Sequence, residues 1–566
     1  MRAGRITAWR SYAVITTAST LAVTLGALGV GTAVAGSGIT TLISKSSAGV
    51  KGDAESLFPS VSADGRYVAF RSDARNLHPD DIDGRPDVFV RDRVENKLLL
   101  ISRADGPNGE KGDGSSFNPR ISADGRRVVF RSRAPNLDPD DTDKDSDLFV
   151  RNLITDQTTL VSRASGADGE KTNGESFAPA ISADGRVITF RSAATNLDPA
   201  DTDPTFDIYV RDLNSKETTL ISRASGAGGA KGNAESNFPV ISGDASLVAY
   251  RSESTNLDPA DKSDDRDIYA RELATDKTII VSRGKGAKGK VGNSDSTFAS
   301  ISENGRYVAF DSLANNLTSD DKDKSADVLR RDLKKHRTIL VSRAGGLNGP
   351  KQDEGAAEPT ISADGRYVAF HATGTNLGGA EPDLSTLDVF VRDTKIGRTI
   401  LMSQGPGGKE ANKLASEPWI SADGSVVAFH SEATNLSKDD NDGVLDVFVR
   451  EVPPVPKCQG KPATQMATDG GVTRGSNGRD VIVGNPGADN IKLKKGSDRA
   501  CGNGGKDRID GGPGGDLLSG AGNRDLLEGG KGRDRLRGGR GADRLKGGAG
   551  PDKCNGGPGR DKQTSC

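Results

Sequence analysis

One ten-residue segment constrains the fold of this chain more than any other feature. Counterparts of the segment Ile121–Phe130 (ISADGRRVVF) contain Ser62, Ser182, Ser242, Ser302, Ser362 and Ser421. Successive copies are 60 residues apart, except that the last follows after 59. Self-similarity at a fixed long period is typical of repeat architectures, in which each repeat is one supersecondary unit. The seven copies predict a single repeat domain over residues 36–452.

Each repeat contains four short strand candidates separated by turn signals. In the second copy they are Phe117–Ser122, Arg127–Ser132, Asp147–Asn152 and Thr158–Ser162. The second and third candidates are apolar at consecutive positions, which favours strands covered on both faces. Proline recurs on the first candidate, and a proline within a sheet belongs on an edge strand because it lacks an N–H donor. These features predict an all-β chain with a seven-bladed β-propeller, whose innermost strands carry the prolines.

The two ends of the repeat array complement each other. Ile39–Ser44 matches the fourth strand of a repeat, whereas the last copy stops after its third strand, Asp446–Arg450, and is followed by Pro453 and Pro454. An N-terminal strand that fills this vacancy would close the ring and remove two open sheet edges. We therefore predict that Ile39–Ser44 completes the seventh blade.

The repeat motif resembles that of TolB-type β-propellers. The resemblance rests on Ser-Ala-Asp-Gly-Arg-x-Val-Ala-Phe followed by Asp-Val-Phe-Val-Arg-Asp, and it covers about Ile39 to Val452. It implies a propeller fold that hosts binding and scaffold roles as well as enzymes, so the fold alone does not identify the function.

The N-terminal segment has the organisation of a secretory signal. Arg2, Arg5 and Arg10 precede an apolar run from Ala13 to Ala35, which ends in the small-x-small sequence Ala33-Val34-Ala35. We predict a signal peptide over residues 1–35, with an uncleaved membrane anchor as the alternative. The mature protein is then expected to be secreted, or periplasmic in a bacterium with two membranes, without stable membrane insertion.

Clustered acids follow the second strand of most repeats. Carboxylates at i and i+2 with a third four residues later could supply the oxygen ligands of Ca²⁺. Alternatively, the third aspartate braces a turn and the others are solvated loop charges. The candidate ligands are Asp81, Asp83 and Asp87, then Asp141, Asp143 and Asp147, and finally Asp440, Asp442 and Asp446. The fourth copy (Asp261, Ser263, Asp267) and the sixth (Glu381, Asp383, Asp388) depart from this pattern.

No catalytic constellation is visible in the repeats. There is no Ser/His/Asp set with the spacing of a nucleophile elbow. His371 and His430 occupy equivalent positions, where a surface location is expected and a metal or acid–base role is the alternative. Trp419 is the only tryptophan after the signal segment, and a glycosidase cleft would require aromatic platforms. We predict a protein that is not an enzyme, with an extracellular hydrolase or lyase as the alternative.

The composition changes after a Pro/Gly-rich segment, residues 453–474, which we predict to be a linker. From there aspartate recurs every nine residues, at Asp480, Asp489, Asp498, Asp507, Asp516, Asp525, Asp534, Asp543, Asp552 and Asp561. The surrounding pattern Gly-Gly-x-Gly-x-Asp-x-Leu-x is clearest at Gly511–Ser519, Gly529–Arg537 and Gly538–Lys546. It resembles the RTX, or haemolysin-type, calcium-binding nonapeptide.

This resemblance implies a parallel β-roll over residues 475–566 that binds Ca²⁺. Two nonapeptides form one coil, so aspartates 18 residues apart would stack at about one strand spacing, ~4.8 Å, and their charges would repel unless cations are present. The ligands implied are Asp480, Asp489, Asp507, Asp516, Asp525, Asp534, Asp543 and Asp552, with turn glycines Gly512, Gly514, Gly530, Gly532, Gly539 and Gly541.

All four cysteines lie near the C-terminal end, and they allow three disulfide pairings. We expect Cys458–Cys501 and Cys554–Cys566, one at each end of the roll, because an even number of cysteines in an exported chain indicates disulfides. A zinc site is not expected, since the spacings differ from those of zinc motifs and no histidine is near.

The net charge of −2 gives no reason to expect a nucleic-acid partner. The sequence as a whole predicts a secreted, monomeric, calcium-binding protein whose propeller binds an extracellular or cell-envelope protein or polysaccharide. The alternatives are the polymer-degrading enzyme mentioned above and a TolB-like envelope component that recognises other proteins.

Overall fold

The computed structural model describes residues 38–378 and 386–566. The predicted signal peptide lies outside these residues, as do Glu381 and Asp383. Within them the chain is a seven-bladed β-propeller followed by a parallel β-roll, which confirms the predicted fold class. No helix among the described residues is long and apolar enough to cross a membrane.

Each blade is a four-stranded antiparallel sheet whose strands follow one another in sequence. Two 3₁₀ turns lie in the connections between strands: Pro135–Leu137 in blade two, and Pro406–Gly408 between blades six and seven. The strands are β1 (Thr40–Leu42); blade one, β2 (Ser56–Val61), β3 (Tyr67–Ser72), β4 (Asp87–Asp92), β5 (Lys97–Leu100); blade two, β6 (Ser116–Ile121), β7 (Arg127–Ser132), β8 (Asp147–Asn152), β9 (Gln157–Leu160); blade three, β10 (Ser176–Ile181), β11 (Val187–Ser192), β12 (Asp207–Asp212), β13 (Thr218–Leu220); blade four, β14 (Ser236–Ile241), β15 (Leu247–Ser252), β16 (Asp267–Glu272), β17 (Lys277–Ile280); blade five, β18 (Ser296–Ile301), β19 (Tyr307–Ser312), β20 (Asp327–Asp332), β21 (Arg337–Leu340); blade six, β22 (Ala356–Ile361), β23 (Tyr367–Ala372), β24 (Asp388–Asp393), β25 (Arg398–Leu401); and blade seven, β26 (Ala415–Ile420), β27 (Val426–Ser431), β28 (Asp446–Glu451).

The N-terminal strand closes the ring as predicted. β1 pairs antiparallel with β28 in blade seven, with Thr40 opposite Arg450 and Leu42 opposite Phe448. The contact continues beyond the strand, since the Ile43 N–H donates to the Val447 carbonyl at 2.8 Å. Residues some 400 positions apart in sequence therefore share one sheet, and the ring has no open blade edge at its junction.

The middle strands are buried on both faces because neighbouring blades cover them. Val68, Ala69 and Phe70 in β3 are all completely buried, on alternating sides of the sheet. Phe70 stacks on Phe89 of the adjacent strand with ring centroids 5.8 Å apart, and pairs of this kind recur in other blades. This packing explains the consecutive apolar positions in the sequence, which a half-exposed strand would not show.

A buried arginine on the third strand ties each blade to the one before it. Arg151 donates from Nη1 to the Ala104 carbonyl at 2.9 Å and from Nη2 to the Gly106 carbonyl at 2.9 Å. Its Nη1 also donates to the Thr158 hydroxyl at 2.8 Å. The sequence analysis did not identify this role. The equivalent residues are Arg91, Arg211, Arg271, Arg331, Arg392 and Arg450.

The innermost strands carry the prolines, which confirms their predicted edge position. Each innermost strand has a register shift, such as that between Leu57 and Ser60. The residue before the proline adopts a positive φ, for example 55° at Phe58 and 49° at Glu417. A bulge of this kind re-aims side chains, and here it turns the residue before the proline into the central channel.

The C-terminal region winds into two six-stranded parallel sheets. Leu518, Leu527, Leu536 and Leu545 fill the narrow core between them, at the apolar position of each nonapeptide. A short hairpin precedes the coils. The strands are β29 (Lys457–Cys458), β30 (Lys461–Pro462), β31 (Gln465–Met466), β32 (Val472–Arg474), β33 (Val481–Val483), β34 (Asn490–Lys492), β35 (Arg499–Asn503), β36 (Arg508–Asp510), β37 (Leu517–Gly522), β38 (Leu526–Lys531), β39 (Arg535–Arg540), β40 (Arg544–Ala549), β41 (Lys553–Asn555) and β42 (Lys562–Thr564).

The segment predicted as a linker is in part the first coil of the roll. β31 and β32 pair in parallel with β33 and β34, so the sheets begin at Gln465 and not near residue 475. The same segment contacts the propeller: Met466 N–H donates to the Ile396 carbonyl at 2.8 Å, and Gly345 N–H donates to Asp469 Oδ2 at 2.7 Å. Proline- and glycine-rich composition fits an irregular capping coil as well as a linker, which is why composition alone misplaced this boundary.

Candidate metal centres and the propeller channel

The aspartates of the roll form two straight rows, one along each edge. Parallel pairing in steps of 18 residues places Asp498 beside Asp516 and Asp534 in one row, and Asp507 beside Asp525 and Asp543 in the other. In each row the Oδ1 atom of one aspartate accepts a hydrogen bond from the backbone N–H of the aspartate one coil earlier. The Asp516 N–H to Asp534 Oδ1 distance, 2.9 Å, is typical of this series.

The second carboxylate oxygen of most of these aspartates has no hydrogen-bond partner. Asp516 and Asp534 are completely buried, yet their Oδ2 atoms are unpaired. A buried carboxylate oxygen without a partner is costly, so each unpaired atom requires an explanation. The unpaired atoms are the Oδ2 atoms of Asp498, Asp507, Asp516, Asp525, Asp534, Asp543 and Asp552.

Burial also raises the pKa of these carboxyls. The pKa of Asp516 rises to about 7 because of burial first and then repulsion from Asp498, Asp534 and Asp510. Burial likewise raises the pKa of Asp525 and of Asp489 to about 7, and that of Asp507 to about 6. Without cations, therefore, the rows resist full ionisation near neutral pH.

Each unpaired oxygen faces a backbone cradle that only glycine leaves open. A Cβ atom placed on Gly529 would lie 2.6 Å from Asp534 Oδ2 and 2.4 Å from the Gly547 carbonyl oxygen. The equivalent Cβ on Gly511 would lie 2.7 Å from Asp516 Oδ2 and 2.5 Å from the Gly529 carbonyl oxygen. Carboxylate and carbonyl oxygens converge where these Cβ atoms are missing, which is the hard-oxygen donor set that Ca²⁺ requires.

The cradles add residues that the sequence analysis did not select. Asp498 and Asp561 belong to the rows as fully as the predicted ligands, and their nine-residue phase was the available signal. Gly511, Gly529 and Gly538 form the cradle floor. The predicted glycines all have a positive φ, and they lie in the turns or, for Gly530 and Gly539, near the ends of strands β38 and β39: Gly512, Gly514, Gly530, Gly532, Gly539 and Gly541.

The second coil, which contains β33 and β34, differs from the later ones. Asp480 Oδ2 accepts the Ser476 N–H at 2.7 Å, and Asp489 Oδ2 accepts the Asn485 N–H at 2.8 Å. The Oδ2 atoms of these two predicted ligands therefore already have hydrogen-bond donors within the chain. The donor sets that fit Ca²⁺ best lie further along, from Asp498 to Asp552.

Both predicted disulfides are present. Cys458 on the hairpin bonds Cys501 in the third strand of its sheet, and Cys554 bonds Cys566 at the C-terminal end. The first bridge lies in an apolar cluster with Ile396 of the propeller and Met466. It therefore fixes the start of the roll where the roll meets blade six.

The acidic loops of the propeller bring three carboxylates together around a lysine. Lys111 Nζ lies 2.8 Å from Asp87 Oδ2, 3.0 Å from Asp83 Oδ2 and 3.6 Å from Asp81 Oδ1. Candidate ligand oxygens of this triad lie within 4.8 Å of one another. The same arrangement joins Lys171 to Asp141, Asp143 and Asp147, and Lys51 to Asp440, Asp442 and Asp446.

The lysine arrangement supports the bracing alternative for these loops. The third aspartate is also held by a serine, since Ser102 Oγ donates to Asp87 Oδ1 at 2.6 Å. In blade four Val291 stands where blades one, two, three, five and seven have the lysine, and Ser263 replaces the middle aspartate. In blade six Glu410 stands at the lysine position. In blade four the lysine and the middle aspartate are thus absent together, as expected for an ion pair. Ca²⁺ at these loops stays a prediction, and the ion would have to displace the ammonium group.

The central channel has a polar end and an apolar end. We call the face that carries the connections between second and third strands, such as residues 73–86, the long-loop face. Near it lies a cavity of ≈ 210 Å³ lined by the residues before the prolines, including Glu358 and Glu417. Arg120 reaches across this lumen and lies 4.4 Å from the Trp419 ring centre.

Glu358 and Glu417 line this cavity, and each lies beside a histidine of the second strand. His371 Nδ1 lies 3.6 Å from Glu358 Oε2, and His430 Nδ1 lies 3.7 Å from Glu417 Oε2. Burial, and then repulsion from Glu358, raise the pKa of Glu417 to about 8, and burial raises the pKa of Glu358 to about 7. Burial lowers the pKa of both histidines to about 4. The predicted surface position of the histidines is wrong: His430 is 5% exposed, because the bulged inner strand covers it.

Comparison with known proteins gives one family for the tail and distant neighbours for the propeller. Residues 474–500, 501–536 and 528–562 match the RTX calcium-binding nonapeptide repeat family, so the roll carries RTX repeats and binds Ca²⁺. No curated protein matches the chain.

Several solved propeller structures are similar to it. An oligogalacturonate lyase from Vibrio parahaemolyticus is 14% identical and covers 71% of this chain and 90% of its own, with a TM-score of 0.44. TolB from Acinetobacter baumannii is 15% identical and covers 69% and 81%, with a TM-score of 0.33. The propeller domain of the Trilobed protease from Pyrococcus furiosus is 14% identical and covers 67% and 90%, with a TM-score of 0.39. Similarity at this level does not bear on function.

Proposed function

We propose that this is a secreted calcium-binding protein in which the roll folds on Ca²⁺ outside the cell and the propeller serves as a binding scaffold. The observation that carries the proposal is the pair of aspartate rows with buried, unpaired Oδ2 atoms. A row of that kind is poorly stable as a set of anions, and a divalent cation shared between coils removes the repulsion. Folding and ion binding are then one equilibrium.

The disulfides support an extracellular site of action. Cys458–Cys501 and Cys554–Cys566 bracket the ion-binding coils, and such bonds persist in oxidising compartments. Extracellular calcium modules work at about 10⁻⁴–10⁻³ M, so weak sites suffice there. The roll would therefore remain incompletely folded until the chain reaches a calcium-rich, oxidising medium.

The propeller has the properties of a rigid display platform. Its ring is closed, its blades are joined by buried arginines, and its long loops are braced by lysine–aspartate networks. Loops on a rigid scaffold are the usual location of binding residues. We assign the partner contact to the long-loop face, where the polar end of the channel opens.

Calorimetry and circular dichroism on the full, oxidised chain test the calcium part of this proposal. Titration of calcium-free protein should release or absorb heat and increase the β signal, and Ca²⁺ should raise the midpoint of one unfolding transition while leaving the propeller transition unchanged. Absence of heat and of any spectral gain at millimolar Ca²⁺ would refute it. A pull-down from extracellular extract in Ca²⁺, with EDTA as control, tests the scaffold role.

A polymer-cleaving enzyme is the second candidate, and the Glu417–His430 and Glu358–His371 pairs favour it. Paired groups whose pKa values are pushed apart are characteristic of acid–base sites. Turnover of an extracellular polymer that Glu417→Gln abolishes, without loss of polymer binding, would establish this activity over the scaffold role.

A further inference from the structure

The residues at one position of the second strand divide the channel mouth into two sectors. Going round the ring from blade one to blade seven, this position is held by Arg71, Arg131, Arg191, Arg251, Asp311, His371 and His430. Four adjacent blades therefore present arginine, and the other three present an acid or a histidine. The division gives the mouth a basic wall and an opposite wall of carboxyl and imidazole groups.

Two arginines of the basic wall are stacked between phenylalanine rings. The Arg131 guanidinium lies 4.4 Å from the Phe117 ring centre and 5.0 Å from that of Phe177. Arg191 lies 5.0 Å from Phe177 on its other side and 4.3 Å from Phe206. We call these five residues the Arg–Phe ladder. Stacking fixes the planes of the two guanidiniums, so that their N–H edges keep a constant orientation.

The ladder arginines have no carboxylate in direct contact within the part of the chain that the structure describes. Among the described residues, neither Arg131 nor Arg191 forms an ion pair with a carboxylate, and the Nε atom of each has no hydrogen-bond partner. Glu175 pairs instead with Arg133, at 3.3 Å. Arg191 Nη1 donates to the neutral Asn237 Oδ1, and Glu235 and Glu175 act on its charge without forming an ion pair with it. Arg71, by contrast, is held by Asp73 at 2.7 Å.

The opposite wall offers neutral hydrogen-bonding groups. Burial raises the pKa of Glu417 to about 8 and that of Glu358 to about 7, so near neutral pH the protonated form, which can donate, predominates at Glu417 and is about half populated at Glu358. Ser416 Oγ lies 2.8 Å from His430 Nε2 and holds this buried imidazole behind the wall. Phe238, which is 37% exposed and tilts against Phe298 at 4.8 Å, adds an apolar surface at the rim between the walls.

We propose that the channel mouth on the long-loop face binds an acidic oligosaccharide, with the uronate carboxylates on the Arg–Phe ladder and the hydroxyls on the Glu417–His430 wall. This inference deepens the proposed scaffold role and rests on it. A uronate sugar carries a carboxylate at one edge, hydroxyls at the other and an apolar ring face between them. That distribution matches the two walls and the phenylalanine rim.

An acidic peptide fits this mouth less well. Its carboxylates would satisfy the ladder, but it carries no row of hydroxyls for the opposite wall. The peptide is therefore the competing ligand in the test.

Titration calorimetry on the full, calcium-loaded chain provides that test. The probes are short, non-gelling oligomers of galacturonate and of alginate, the galacturonate oligomer after reduction of its carboxylates to alcohols, and poly-α-L-glutamate. The test variant is Arg131→Gln with Arg191→Gln. The matched control is Arg126→Gln with Arg186→Gln, which removes the same charge from the same two blades at exposed positions on the opposite face.

At least one uronate oligomer should bind to the wild-type chain, and the reduced oligomer and polyglutamate should not. The ladder variant should weaken binding by at least about tenfold, since two charge-assisted contacts are lost, whereas the control variant should bind like the wild type. The inference fails if neither uronate binds, if polyglutamate binds as tightly, or if the control loses as much affinity as the ladder variant. Circular dichroism and the calcium-dependent transition report whether each variant is folded. A failure here with intact calcium-dependent folding leaves the proposed function standing.

Discussion

Replacing Asp516 by asparagine should have opposite effects on the roll in the absence and presence of Ca²⁺. The amide retains an oxygen that can accept the Asp498 N–H, a hydrogen bond of 2.9 Å in the wild type, but it removes a completely buried charge. Without Ca²⁺ the buried charge destabilises the folded roll, whereas with Ca²⁺ the carboxylate stabilises it by acting as a ligand. The sign of the change in the free energy of unfolding therefore depends on the ion.

The magnitude follows from the raised pKa of Asp516. Its pKa is 3.8 in the unfolded chain and about 7 in the folded roll, a difference of roughly three units. At about 1.4 kcal/mol per pKa unit, ionising this carboxyl costs the folded roll about 4 kcal/mol relative to the unfolded chain. Solvent screening in a roll only two sheets thick reduces this cost to about 2 kcal/mol. Because the folded pKa is raised, the protonated carboxyl stabilises the folded roll relative to the ionised one. This stabilisation is present below the unfolded pKa and is lost as the pH rises through the folded pKa.

The assay is urea unfolding of the full, oxidised chain, monitored through the calcium-sensitive transition. In EDTA at about pH 7.5, D516N should be more stable than the wild type by about 2 kcal/mol, and near pH 4 the two should coincide because the wild-type carboxyl is protonated there. In Ca²⁺ the variant should instead be the less stable protein. Glu528→Gln, on the outer face of strand β38, is the control and should leave the free energy of unfolding unchanged both in EDTA and in Ca²⁺. If D516N destabilises equally with and without Ca²⁺, Asp516 acts only as a turn acceptor and the reasoning is wrong.

Three further predictions concern the propeller. Lys111→Val should destabilise it by about 3–5 kcal/mol, the cost of breaking a buried ion pair, as measured by chemical unfolding; adding Asp87→Asn, which removes the buried charge that the lysine pairs with, should restore much of the loss, and rescue of the single variant by Ca²⁺ would instead show that this triad accepts the ion. Deleting residues 38–44 should leave blade seven with three strands and lower the propeller midpoint in thermal unfolding, whereas an unchanged midpoint would mean that closure contributes little. Because burial raises the pKa of Glu417 to about 8, its contribution to stability is present at low pH and is lost as the pH rises through that value; a pH series of unfolding free energies should therefore fall for the wild type and stay flatter for Glu417→Gln, and parallel curves would contradict the assignment.

Periodicity explains why the architecture could be predicted from the sequence. The 60-residue and nine-residue repeats fix the number of blades, the closing strand and the aspartate rows, since each repeat must place equivalent residues in equivalent positions. The channel could not be predicted in the same way. Arg120 and Trp419 meet only because closure brings blades two and seven to either side of blade one.

Contacts between residues of different repeats could not be predicted from the sequence of a single repeat either. The partner of Asp87 is Lys111, which belongs to the following repeat, and the partner of Asp446 is Lys51, at the other end of the chain. His430 was expected at the surface because its counterparts are arginines. The arginines also lie at the channel mouth, half-buried against aromatic rings, and a pattern of polar residues does not distinguish that environment from the outside of the protein.

The hydrogen bonds along the aspartate rows give the roll a direction. Each carboxylate holds the backbone of the coil before it, so Asp561 supports Asp543, which supports Asp525, and so on towards the propeller. Loss of the final turn would release the coil that precedes it, and that coil would in turn leave its own neighbour without an acceptor. Unfolding of the coil that carries Asp561 would therefore spread towards the propeller, and the Cys554–Cys566 bridge constrains the segment in which it would start.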